Sequence, residues 1–194
     1  LRADREIVLE AIMYDRYRLE ALEYASEKLR ADREIVLEAV KEDGRALDYA
    51  SEKLRADRKF VLEAVKNDWR ALKHVSKELR ADREVVLEAV KNEACVSKGW
   101  VVSLGYAPGE LRADREFMLE VVKTDGRALD YASEELQADR EVVLEAVKEE
   151  GWALAHASEE LRADRAVVLE AVKNNGLALE NASEELQNDL ELIA

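Results

Sequence analysis

Leu29-Arg-Ala-Asp-Arg-Glu-Ile-Val-Leu-Glu-Ala-Val-Lys-Glu-Asp-Gly-Arg-Ala-Leu-Asp-Tyr-Ala-Ser-Glu-Lys53 reads as one long helix, a turn and a shorter helix. Asp32 is a good N-cap, because its carboxylate accepts from the free amides of a first helical turn, and Glu34 adds negative charge at the positive end of the helix dipole. Ile35, Val36, Ala39 and Val40 recur at helical spacing, with Leu37 widening the stripe. Glu34, Glu38, Lys41 and Glu42 fall on the opposite, solvated face. Gly44 is placed to end this helix in a left-handed conformation. A second helix over 45–50 turns Ala46, Leu47 and Ala50 inward and Asp48 outward. Ser51 then caps one more turn, read as 3₁₀, which sets Leu54 into the core.

The same pattern recurs along the chain. Its opening leucine returns at Leu1, Leu29, Leu54, Leu79, Leu111, Leu136, Leu161 and Leu186, at spacings of 28, 25, 25, 32, 25, 25 and 25 residues. A pair of such short helices cannot bury its apolar face alone, so neighbouring copies must cover it. The expected architecture is an all-α solenoid of about seven 25-residue helix-turn-helix repeats, one helical-repeat domain over residues 1–194. Its units start near residues 1, 29, 54, 79, 111, 136, 161 and 186, with an irregular insertion within 94–109. The chain opens at Leu1 without a methionine and stops at Ala194 inside a repeat helix, so it is expected to be a fragment or a processed product. Its compartment stays open.

Composition restricts the function classes. Of 194 residues 38% are charged and 48% hydrophobic, and the formal net charge is −14. That charge repels nucleic-acid backbones and anionic membrane surfaces as a whole, and a basic partner surface is its electrostatic match. Cys95 is the only cysteine, which excludes an intramolecular disulfide and a cysteine-based zinc site completed from this chain. No stretch approaches the roughly 20 apolar residues of a membrane span.

The stretch Leu-Arg-Ala-Asp-Arg-Glu-Val-Val-Leu-Glu-Ala-Val-Lys-Asn (Leu79 to Asn92), with Gly-Arg-Ala-Leu-Asp-Tyr-Ala-Ser-Glu-Glu-Leu (Gly126 to Leu136), resembles the tandem-repeat family known as domain of unknown function 4116. The family occurs in bacteria, algae and other microbial eukaryotes. The resemblance covers nearly the whole chain and implies repetition, with such arrays forming parts of larger proteins. It lends no activity, cofactor or ligand, and Ala94 to Ser103 departs from its pattern.

Candidates for chemistry are explained by the repeat. His74 and His156 share a column with Tyr24, Tyr49, Tyr106, Tyr131 and Asn181, so a ladder of packed rings with hydrogen-bonded tips accounts for them better than a metal or acid–base site. Glu38, Glu63, Glu88, Glu120, Glu145 and Glu170 form a periodic acidic face, balanced by arginines and by lysines at helical spacing. Two arginine columns run beside it, Arg30, Arg55, Arg80, Arg112 and Arg162, and Arg33 to Arg165. Both are expected to bridge neighbouring units through adjacent acids, with an anion-binding stripe as the alternative. Phosphate loops, Ser-His-Asp sets and metal-binding His-x-x-x-His spacings are absent from the sequence. No enzyme activity and no cofactor is therefore expected.

Positions that vary among the copies are those that stacking does not dictate. The variation gathers at the start of the second helix: Arg45, Arg70, Arg127, Trp152 and Leu177 in one column, with Trp69 replacing glycine in the column before it. The second irregularity is the uncharged run around Trp100, Val102, Leu104 and Tyr106. Two readings of that run stay open: an extended, partner-seeking segment, or a loop insertion that keeps Leu104, Tyr106, Ala107 and Leu111 in repeat register. The partner-binding candidates are thus Arg45, Trp69, Arg70, Trp100, Val102, Leu104, Tyr106, Arg127 and Trp152. The expected function is a non-enzymatic protein-interaction scaffold, and the alternative is a structural or linker subunit within a larger multiprotein assembly. The family's occurrence in algae makes an organelle complex one setting for that alternative.

Overall fold

The computed structural model describes residues 4–14, 18–96 and 101–188, and among these every regular element is helical. Each full repeat has three parts, as in the α-helix Arg33–Glu42, the 3₁₀ helix Gly44–Tyr49 and the single α-turn Glu52–Arg55. Asp32 caps the long helix, accepting from the backbone N–H of Glu34 at 3.0 Å and of Ile35 at 3.3 Å. Ile35, Val36, Ala39 and Val40 are buried, as are Ala46, Leu47, Ala50 and Leu54. The pattern over 29–53 thus becomes the core of an all-α solenoid repeat.

Two local expectations are corrected. The second helix is the 3₁₀ element, and the Ser51-capped turn is the α-helical one, the reverse of the order read from sequence. Side chains three apart eclipse in a 3₁₀ helix, and Gly44, Ala46 and Ala50 keep that crowding small. Asp43 fixes its start by accepting from the Arg45 N–H at 3.0 Å. The first repeat lacks this composition, and there the equivalent segment is an α-helix, Arg18–Glu23. Gly44 also fails to act as a left-handed helix end, because no described glycine has positive φ. It is required for space instead: a Cβ on Gly44 would lie 2.7 Å from the Ala71 backbone nitrogen and 2.8 Å from the Asp68 carboxylate carbon.

The contacts gather into two compact units, residues 1–97 and 98–194. In the first, the helices Arg5–Tyr14, Arg33–Glu42, Arg58–Asn67 and Arg83–Val96 pack in sequence order, and the 3₁₀ helices Gly44–Tyr49 and Trp69–His74 form a parallel layer. Backbone rungs tie successive copies, Ser51 N–H to Arg30 C=O at 2.9 Å and Ser76 N–H to Arg55 C=O at 3.0 Å. The second unit packs Arg115–Thr124, Arg140–Glu149 and Arg165–Asn174 in the same way. Its rungs run from Ser133, Ser158 and Ser183 to Arg112, Gln137 and Arg162. Pro108 stands in this serine column and has no N–H to give a rung.

Ionic rungs lie alongside. Arg33 donates to Asp57 at 2.9 Å, Arg58 to Asp82 at 2.7 Å and to Glu84, Arg115 to Asp139 at 2.8 Å and Glu141 at 2.6 Å, and Arg140 to Asp164 at 2.9 Å. Each of these four arginines thereby grips the N-cap aspartate of the next long helix, as the adjacent acids predicted. The Asp82, Asp139 and Asp164 carboxylates are held below the usual aspartate range, first by these arginine bonds and then by the backbone amides they cap. Asp57 is lowered chiefly by the Phe60 N–H. Because the folded-state values are depressed, their stabilisation is complete above the unfolded aspartate value of about 3.9 and is lost as pH falls through the folded values. The expected result is a denaturation midpoint that is flat from neutral pH to about pH 5 and drops below about pH 4. Changing Asp82, Asp139 and Asp164 together to asparagine flattens that acid limb. An acid limb unchanged in the triple variant would place the acid sensitivity elsewhere.

Candidate functional site

The variable column is built by the 3₁₀ helices. Each begins beside the end of a long helix, so its second residue lies next to the capping acid. Arg45 is exposed and turns back on Asp43, with Nε 3.1 Å from both carboxylate oxygens and Nη2 2.6 Å from Oδ2. Arg70 holds the buried Asp68 in the same way at 2.6–3.0 Å. Arg127 pairs with Asp125, its Nε at 2.8 Å. Burial works against the Asp43 carboxylate, but the bonds from Arg45 win and hold it below the usual range, and Asp43 in turn raises Arg45. In the first unit, Arg45 and Arg70 lie near enough that each also feels the other's aspartate. These arginines therefore have a local task, closing the turn around the acid that starts their own helix.

The glycine exception, Trp69, has a structural reason. The other described long helices that follow such a position end after ten residues, but Arg83–Val96 continues for 14. Trp69 is half-buried, and its backbone N–H donates to the Asn92 side-chain oxygen at 2.9 Å, while the Asn92 amide donates to the Lys66 carbonyl at 2.9 Å. Gly151 and Asn174 repeat this clamp at 2.8 Å, with Asn174 donating to the Lys148 carbonyl at 2.7 Å.

In the second unit, the segment Val102–Tyr106 is a 3₁₀ helix that packs on Gly126–Tyr131. It follows the repeat register, and the extended alternative is excluded for these residues. Leu104 is fully buried and is thereby corrected from a partner contact to a core residue. Its position in the repeat is that of Leu129 and Leu154, both also fully buried. Tyr106 is half-buried in the ring ladder, and Trp100 lies outside the described residues. Val102 falls one period before Arg127, so Val102, Arg127, Trp152 and Leu177 occupy one column on successive 3₁₀ helices. Val102 is 40% exposed, Trp152 40% and Leu177 59%. The structure thus brings together three apolar side chains and one arginine. Leu177 was visible in the sequence column, but the eye passes over a leucine in a leucine-rich repeat.

Both histidines take the ladder role. His74 Nδ1 lies 3.0 Å from Asp48 and His156 Nδ1 2.9 Å from Asp130, each aspartate belonging to the preceding copy. The acidic face pairs with lysine three residues on, Glu38 with Lys41 at 2.6 Å and Glu145 with Lys148 at 2.5 Å. Among the described residues no cluster of three or more His, Cys, Asp or Glu is placed to hold a metal ion, and no helix is long and apolar enough to cross a membrane.

The second arginine column behaves unlike the first. Arg30, Arg55, Arg80, Arg112 and Arg162 each have a buried Nε without a hydrogen-bond partner. Among the described residues the expected bridging through adjacent acids is not made at this column.

Comparison with known proteins returns one family. No curated protein and no solved structure matches the chain. The family model described as "Domain of unknown function (DUF4116)" matches five times in tandem, over residues 4–55, 57–112, 93–137, 114–162 and 139–187. Each match spans about two of the 25-residue steps, so the family's unit is a pair of copies of the three-part repeat. By these matches, which run through both compact units, the chain belongs to the DUF4116 family.

Proposed function

We propose that this chain is a non-enzymatic scaffold that binds a protein partner through the exposed ends of its 3₁₀ helices. One observation carries the reading: in the column Val102, Arg127, Trp152 and Leu177 the three apolar side chains are 40–59% exposed. Core columns keep their residue class from copy to copy, whereas this one ranges over arginine, valine, tryptophan and leucine. Tryptophan and arginine are the side chains that most often anchor interfaces, and contiguous exposed apolar groups mark partner surfaces. Each histidine contacts an aspartate of the preceding copy through Nδ1, and Glu38, Glu88, Glu145 and Glu170 pair with lysines, which supports a role without catalysis. A net charge of −14 opposes nucleic acid as the partner.

The test is affinity capture from the native source with the intact chain and with a Trp152→Ala/Leu177→Ala variant. A stoichiometric protein captured by the first and lost with the second, at unchanged helicity, is the expected result. Capture that is equal for both would move the interface away from this column.

A further inference from the structure

The first unit carries a charge anomaly that packing does not need. An open cleft of about 430 Å³ lies between two successive copies, lined by Glu27, Arg30, Asp48, Tyr49, Ser51 and Arg55 among others. Acids dominate it. At the same positions one repeat on stand Glu52, Arg55, Lys73, His74, Ser76 and Arg80, with Lys77 where the first cleft has Glu52. Four cations, Arg55, Lys73, Lys77 and Arg80, thus gather in one step of a strongly acidic chain, and none forms an ion pair among the described residues. The two copies are fastened there by the Ser76 to Arg55 rung and by the His74 to Asp48 contact. Three buried nitrogens face no partner: Nε of Arg55, Nε of Arg80 and Nε2 of His74.

The second unit supplies the control. Gln137 and Gln187 replace arginine in this column. The Gln137 amide donates to the Leu129 carbonyl at 3.1 Å, and that of Gln187 to the carbonyls of Glu180 at 3.0 Å and Ala182 at 2.9 Å. A neutral amide therefore does the structural work at this position, satisfying the end of the 3₁₀ helix. At Gln137 and Gln187 the fold does without a guanidinium charge, while Arg112 and Arg162 of the same unit retain it. Arg55 and Arg80 are half-buried, and an unpaired guanidinium is a strong binder of a carboxylate or phosphate, since its planar fork donates two parallel bonds.

We propose that Arg55, Arg80, Lys73 and Lys77 form a binding site for an acidic, extended peptide segment of a partner protein. Spacing decides between anions. Successive copies advance by about a helix-packing distance, 8–10 Å, which one phosphate group cannot bridge. An extended chain rises about 3.1–3.3 Å per residue, so carboxylates three residues apart lie about 9–10 Å apart and reach both arginines. A polyphosphate backbone meets the repulsion of the whole molecule, whereas a short acidic segment meets mainly the local field. This site is distinct from the apolar column, and either can fail without the other.

The experiment measures fluorescence anisotropy of a labelled twelve-residue peptide with glutamate at every third position and glycine or serine between. Two variants of the full chain are compared with the parent. Arg55→Gln/Arg80→Gln imitates residues the fold already uses in this column, and Lys73→Glu/Lys77→Glu changes only exposed side chains. Saturable binding, weakened about tenfold or more in both variants at unchanged helicity and midpoint, is the expected result. Absence of saturable binding, or equal affinity in the variants, overturns the proposal. So does displacement of the peptide by inorganic phosphate or single-stranded DNA at lower concentration, which would assign the cations to phosphate chemistry.

Discussion

Gly126→Ala is expected to lower the unfolding free energy by about 2–3 kcal/mol, while Gly176→Ala leaves it within about 0.5 kcal/mol. The two glycines open the same 3₁₀ helix in different copies, and neither has positive φ, so their backbone requirement is equal. They differ in what arrives beside them. A Cβ on Gly126 would meet the Ala146 carbonyl oxygen and, at 3.0 Å, Glu150, whereas one on Gly176 meets nothing within 4 Å among the described residues. The Ala146 carbonyl cannot retreat cheaply, because it accepts the Glu150 N–H that closes the helix Arg140–Glu149. Relief requires the two copies to separate or that last helical bond to open, either of which loosens the stack on both sides. Urea denaturation followed by far-UV circular dichroism measures both variants on one scale. Similar losses at the two positions would sink the steric account and return the glycine to a purely local role.

The same comparison shows what could be read from one sequence. Helix register, N-caps and the core stripe were legible because each depends on residues within one turn or one face: Asp32, Ile35, Val36 and Ser51 carry their own explanation. The glycine was misread because its cause lies about one repeat away, in the chain that packs against it. The exchange of α and 3₁₀ geometry was hidden for a related reason. Six residues such as Gly-Arg-Ala-Leu-Asp-Tyr satisfy either helix locally, and successive 3₁₀ helices pack on one another in a way that the sequence of one copy does not display. The apolar column emerged only when Val102 was brought into register with Arg127, Trp152 and Leu177, since the insertion before it had displaced the count. The arginine columns look alike in sequence, and only the structure separates the paired Arg33 from the unpaired Arg30.

Phe60→Ala is expected to produce the largest loss of any single truncation in the first unit, about 3–5 kcal/mol. Phe60 is fully buried, and its column neighbours Ile35 and Val85 are fully buried too, so the cavity left by the ring has no route to solvent. The flanking layers cannot simply close on it, because they are held at fixed separation by the Ser51 and Ser76 rungs and by the bonds from Arg33 to Asp57 and from Arg58 to Asp82. The ring also supports Arg33, whose guanidinium carbon sits 5.0 Å above its centroid. Arg33→Ala, which removes the exposed partner and keeps the core, is expected to lose only about 1 kcal/mol. Phe60→Val falls between the two, since valine is the residue this column uses at Val85, Val142 and Val167, but in layers shaped around a smaller side chain. Equilibrium denaturation of the three variants tests the ordering. A Phe60→Ala loss under about 1 kcal/mol would mean that neighbouring copies slide together to fill the gap, and the rungs would then be followers of the core packing rather than the spacers that set it.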